Sequence, residues 1–142
     1  MFAKQLTVFI ENRLGRLSEV LNVLAKNNVS IISMSLADTT EFGLLRLIVN
    51  NSAKGKEKLT ENGFSSLLSD VSIIQIAHKV GSLQELLSII DANGVNIEYM
   101  YGLSFDPDKA HVVMKASDLE KLDQVLTEQG VYTISSAELA TL

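Results

Sequence analysis

The sequence predicts an α+β protein built from two ferredoxin-like βαββαβ units, each an antiparallel sheet with both helices on one face. Three observations carry that prediction. The segment NRLGRLSEVLNVLAKNNVSI, beginning at Asn12, is restated without a gap as HKVGSLQELLSIIDANGVNI, beginning at His78, at an offset of 66 residues. A second echo, LTENGF from Leu59 and LTEQGV from Leu126, runs at an offset of 67, so a single inserted residue separates the two echoes. The apolar period then switches between strand and helix in the same order in each half. Two repeats are too few for a solenoid and read as two copies of one small domain, residues 1–69 and 70–142.

The first strand is Lys4 to Ile10, where Leu6, Val8 and Ile10 share one face and Thr7 and Phe9 the other. After a break at Asn12 to Gly15, Leu17, Val20, Leu21 and Leu24 fall at helical spacing, and the helix ends near Asn27 and Asn28. Its second copy uses Leu83, Leu86, Leu87 and Ile90 and stops at Gly94. Val29 to Leu36 and Gly43 to Asn50 read as the next two strands, with a hairpin loop at Ala37 to Phe42. A further helix, about Ser52 to Asn62, is weaker because of Gly55. Its counterpart carries a capping-box pair, Ser117 and Glu120, ahead of Leu119, Leu122, Val125 and Leu126. Gly63 and Gly130 end these helices, and closing strands are expected at Phe64 to Leu68 and Val131 to Ala137. Pro107 lies in the turn SFDPDK.

Only Ser69 and Asp70 separate the last strand of the first half from Val71. So short a junction predicts two sheets side by side about a pseudo-two-fold axis. The third strand is apolar on both faces, with Leu45, Leu47 and Val49 against Leu44 and Ile48, and a second copy of the chain is the expected cover for the face away from the helices.

With 46% hydrophobic and 20% charged residues, the composition is that of a globular protein. Net charge is −5 and the 12 basic residues are scattered, which argues against nucleic acid or an anionic membrane as partner. The absence of cysteine excludes disulfides, thiolate zinc sites and cysteine nucleophiles. No apolar run approaches the roughly 20 residues of a spanning helix, and the N-terminus has no signal-peptide pattern, so a cytoplasmic setting is expected.

Chemistry concentrates at the strand-to-helix turns NRLGRL and HKVGSL. A glycine opening a helix leaves free backbone N–H groups that suit an anion, although such a glycine is more often just a tight turn that fits helix to sheet. In its context this region resembles the signature of ACT domains, small amino-acid-sensing regulatory modules. Asn12, Gly15 and Leu17 match the polar residue, glycine and leucine that precede the first helix in that family. Gly94, Val95, Asn96 and Ile97 match the run that opens its second strand, and Asn28, Val29, Ser30 and Ile31 match it loosely.

The resemblance implies ligand binding without catalysis, with a free amino acid held where the turn of one domain meets the second strand of its neighbour. It assigns Asn12, Leu14, Gly15, Arg16 and Leu17 to one pocket facing Asn96 and Met100. The reciprocal pocket takes His78, Val80, Gly81 and Ser82 with Ser30 and Met34. Asn12 resembles the side chain that hydrogen-bonds the amino acid in serine-sensing members, and the Asn12 turn is the more typical site; a turn or cap residue is the alternative. Methionines at matched strand positions are more often core filler. Two departures stand out: His78 replaces the asparagine in the second turn, and Leu14 and Val80 stand where many members carry proline. The two sites are therefore expected to differ.

Catalytic patterns are missing. The two histidines, 33 residues apart, make no metal-ligand spacing, and neither GxGxxG nor a Walker pattern occurs. His111 reads as structural, and no cofactor or metal is expected. The reading is thus a regulatory amino-acid-binding protein, a homodimer by expectation. Its alternative is a regulatory subunit of a larger biosynthetic enzyme, similar to the small subunit of acetolactate synthase. A small ferredoxin-like enzyme is the third.

Overall fold

The computed structural model describes residues 2–38, 42–104 and 106–142. Alternation forms β1 (Ala3–Glu11), in which Leu6, Val8 and Ile10 are buried together against the helices. Helix α1 (Arg16–Lys26) buries Val20 and Leu24, four residues apart on one face. β2 (Ile31–Asp38) and β3 (Phe42–Val49) pair antiparallel, with Met34 opposite Leu47 and Leu36 opposite Leu45. Of the expected loop, Ala37 and Asp38 belong to β2 and Phe42 opens β3, while Thr39, Thr40 and Glu41 lie outside the described residues.

Helix α2 (Ser52–Glu61) starts at Asn51, whose side chain accepts from the Lys54 N–H at 3.1 Å. Gly55 lies inside it and is buried. A Cβ at Gly55 would lie 3.1 Å from Leu6 Cδ2, so the missing side chain lets the helix approach the sheet closely. β4 (Ser65–Ala77) corrects the expected junction: it is one 13-residue strand running through Ser69 and Asp70 without a break. Lys115 Nζ donates to the Asp70 carbonyl at 3.1 Å, so the polar pair is accommodated within the strand.

Helix α3 (Ser82–Ala92) buries Leu86 and Ile90, and β5 (Ile97–Leu103) pairs antiparallel with β6 (Lys109–Ala116). Between these strands Asp106 Oδ1 accepts from the Asp108 N–H at 2.9 Å beside Pro107; Phe105 of the expected turn lies outside the described residues. The capping box before α4 (Leu119–Glu128) does not form. Asp118 is the cap, accepting from the Lys121 N–H at 3.0 Å, because the Ser117 hydroxyl is engaged by the Asn96 amide at 3.0 Å. The closing strand is also shorter than expected. β7 is Tyr132–Thr133, and the Ser-Ser-Ala-Glu run that follows is a helix start, giving α5 (Ser136–Leu139) in place of strand to Ala137.

The chain divides into two compact units. The first takes in Lys4–Ser69 with Ser136–Leu142, the second Asp70–Ser135 with Met1–Ala3. Strand order is β2-β3-β1-β4 in the first and β5-β6-β4-β7 in the second, with β4 supplying residues to each. The β1–β3, β2–β3, β4–β6, β5–β6 and β4–β7 pairs are antiparallel. The first core joins Val20 and Leu24 of α1 and Leu59 of α2 to Leu6, Val8, Leu45 and Leu47. The second joins Leu86, Ile90, Leu122 and Leu126 to Ile74, Val112 and Met114. Each unit therefore carries its two long helices on one sheet face.

The opposite faces are also largely buried within the chain. In the first unit Gln5 and Ile48 are fully buried, and Phe9 meets Phe42 edge-on with centroids 6.1 Å apart. In the second, Val71, Ile73 and Val113 are fully buried. Ile48 thus needs no second copy to cover it.

Candidate functional site

The two strand-to-helix turns share one geometry. The Arg13 N–H bonds back to the Glu11 carbonyl at 2.8 Å, and the Lys79 N–H to the Ala77 carbonyl at 2.9 Å. Gly15 and Gly81 then adopt φ 88° and 89°, a left-handed conformation that a side chain would strain, and neither helix start has a side-chain cap. The Gly15 and Gly81 carbonyls accept the first helical bonds, from Glu19 at 3.0 Å and Glu85 at 2.9 Å. Leu14 and Val80 stand fully exposed at the tips of the two turns.

The electrostatics of the turns diverge. Arg13 Nε donates to Glu11 Oε2 at 2.8 Å, and Arg16 Nη1 to Glu19 Oε2 at 2.6 Å. Arg16 also lies over the Phe64 ring, 4.3 Å from its centroid, a cation–π contact that holds it against α1. In the second unit Ala77, Lys79, Ser82 and Val131 replace Glu11, Arg13, Arg16 and Phe64. No guanidinium is pinned there, and the Ser82 hydroxyl is buried without a partner.

Beneath each turn lies a hollow. That of the first unit, about 130 Å³, is lined by Ile10, Glu11, Asn12, Arg13, Leu17 and Leu36, with Ala37, Asp38 and Gly43. That of the second, about 850 Å³, begins at the equivalent residues Ile76, Ala77, His78, Lys79 and Leu83. It continues along α3 past Leu87, Ser88 and Asp91 and across Ala110 and Val112 of β6.

The structure therefore brings together Asn12 and Leu17 in one hollow, and His78, Val80 and Gly81 in the other. Other expected site residues are placed differently. Arg16 is turned onto Phe64. The Ser30 N–H donates to Asn50 Oδ1 at 2.9 Å, and the Asn96 amide is bound to Ser117. Met34 and Met100 occupy matched positions in β2 and β5, opposite Leu47 and Met114, and each is about two-fifths exposed. The helix positions Leu87, Ser88 and Asp91 were not legible as site residues. Their signal was the pair Gly102 and Ala110 in the second half against Leu36 and Gly43 in the first.

His111 lies on the face of β6 away from this hollow, 2% exposed, with Nε2 3.3 Å from Gln75 Oε1. Burial lowers its pKa, partly opposed by Asp106 and reinforced by Lys109. Among the described residues no cluster of three or more His, Cys, Asp or Glu side chains could hold a metal, and no helix is long and apolar enough to cross a membrane.

A family model described as an ACT domain pair matches residues 1–142. The solved structure of protein BT0572 from Bacteroides thetaiotaomicron is 38% identical with a TM-score of 0.93, covering 100% of this chain and 98% of that one. The regulatory subunit of aspartate kinase from Thermus thermophilus, in its ligand-free form, has a TM-score of 0.62 at 17% identity, covering 88% of this chain and 91% of that one. Its counterpart from Thermus flavus reaches 0.57 at 16% identity, with 90% and 93% covered. The two Thermus structures share the fold. No curated protein matches the sequence.

Proposed function

The chain belongs to the family of ACT domain pairs, and from that premise we propose that it is a non-catalytic regulator that binds a free amino acid beside a strand-to-helix turn. The observation that carries this reading is the repetition of one uncapped, glycine-opened turn above a hollow in each unit. Backbone N–H groups at such a helix start favour a carboxylate, and the apolar walls favour a side chain. Among the described residues lining the hollows no nucleophile is paired with a base, which supports binding over reaction.

A thermal-shift screen of the twenty free amino acids tests the reading. A ligand at 100 times its dissociation constant adds about 2.7 kcal/mol to apparent stability, which raises Tm by several degrees. The expected result is a shift by one amino acid or a chemically related set. No shift by any of the twenty would sink the reading.

A second reading, a subunit that docks on a larger biosynthetic enzyme or on a second copy of itself, is favoured by the exposed apolar residues. Leu14 and Val80 make no use of their side chains within the chain, and Met34 and Leu36 are exposed on β2, the end strand of its sheet. The Thermus relatives are regulatory subunits of aspartate kinase, consistent with such docking. Stoichiometric co-purification of one larger enzyme with the tagged chain is the expected result if this reading holds.

A further inference from the structure

We infer that the hollow of the second unit is the ligand seat, one per chain, and that it takes an α-amino acid with an extended apolar side chain; this rests on the amino-acid-binding reading above. About 850 Å³ lies within the range of about 300–1,000 Å³ typical of small-molecule pockets, whereas the equivalent hollow offers about 130 Å³.

The difference has an identifiable cause. In the first unit Leu36 lies over Gly43, its Cδ1 3.3 Å from where a Cβ on Gly43 would sit, and it lines the hollow it narrows. In the second unit Gly102 stands where Leu36 does, beside Val112 in the β5–β6 register, and Ala110 replaces Gly43. The leucine that lines and narrows one hollow is missing from the other. At the mouth, the Glu11–Arg13 ion pair of the first turn becomes Ala77 and Lys79. Lys79 enters no ion pair among the described residues, so its ammonium is free for a carboxylate.

The ligand class follows from the lining. Ile76, Leu83, Leu87, Ala110 and Val112 form an apolar wall running from the turn along α3. From Leu83 to Asp91 the helix rises about 12 Å, room for an aromatic or long aliphatic side chain. Gln84 and Ser88 are hydrogen-bonded to each other at 3.2 Å, and Asp91, at the far end, disfavours an acidic side chain. The carboxylate belongs at the Lys79 end and the apolar group beyond it.

Isothermal titration of the full chain with phenylalanine, tyrosine, leucine and methionine, and with glycine, serine and aspartate, tests this. The expected result is one site per chain for a member of the first group. Gly102→Leu, which restores the filling side chain, and Lys79→Gln, an exposed change that leaves the core intact, should each weaken binding about tenfold or more. Asn12→Ala, in the hollow that the proposal leaves unused, should leave affinity within a few-fold of wild type. Loss of binding in Asn12→Ala with none in Gly102→Leu and Lys79→Gln would overturn the seat while leaving the amino-acid reading intact. Binding confined to glycine, serine or aspartate would overturn the ligand class. Absence of binding by all seven would overturn the ligand class, and a thermal-shift screen blank for all twenty removes the amino-acid reading with it.

Discussion

At the residue scale, the two copies solve one packing problem with opposite choices. The first unit sets Leu6 on the strand against Gly55 on the helix; the equivalent positions in the second are Ser72 and Leu122, all four being buried. Because Gly55 has a would-be Cβ contact of 3.1 Å to Leu6, Gly55→Leu alone should overpack and destabilise by about 1–3 kcal/mol. Adding Leu6→Ser should recover part of that loss, read as coupling in a double-mutant cycle by urea unfolding. Additive losses would mean that the two sites do not share the space. His111 gives a second prediction. Its pKa is lowered from 6.5 by burial, so the unfolded chain takes up its proton more readily. Stability from His111 is complete above pH 6.5 and is lost as pH falls through the lowered folded value. Urea midpoints between about pH 8 and pH 5 should fall more steeply for wild type than for His111→Gln; parallel curves would contradict the assignment.

Elements were legible where period alone decides them. Leu6, Val8 and Ile10 at spacing two, and Val20 and Leu24 at spacing four, identify β1 and α1 whatever surrounds them. The misreadings arise where a distant partner chooses between local options. Ser117 in SDLE has the chemistry of a cap, yet its hydroxyl is claimed by Asn96, 21 residues away, and the next residue caps instead. Asp118→Ala should therefore cost about 0.5–2 kcal/mol in chemical denaturation and Ser117→Ala less; the reverse order would restore the capping box. Ser69 and Asp70 resemble a break in sequence but lie within a strand, with Lys115 bound to the Asp70 carbonyl. The site was legible in part for the same reason. The turns announce themselves by Gly15 and Gly81, whereas the larger hollow depends on a side chain that Gly102 lacks, visible only by setting one repeat against the other.

At the scale of the whole molecule, the two repeats and the two compact units do not share their boundaries. The tail Ser136–Leu142 belongs to the compact unit of Lys4–Ser69, where the Lys4 N–H donates to Ser136 Oγ at 3.1 Å and Leu139 is 2% exposed. Met1–Ala3 belongs in turn with Asp70–Ser135, and a cut after Ser69 divides β4. Fragments 1–69 and 70–142 would each lack a piece of their own unit, at a chain length where a single core supplies little stability to spare. Expressed separately, each should show weak or absent cooperative unfolding, while the intact chain unfolds with a sharp transition. Leu139→Ala, which empties one buried position of the tail, should cost the intact chain about 2–5 kcal/mol, measured by urea unfolding. Hydrogen exchange then locates the loss: amides of β1 and α1 should open more readily than those of α3 and α4, because the tail is packed with the first unit. Uniform loss of protection through both units would show that the tail stabilises the chain as a whole.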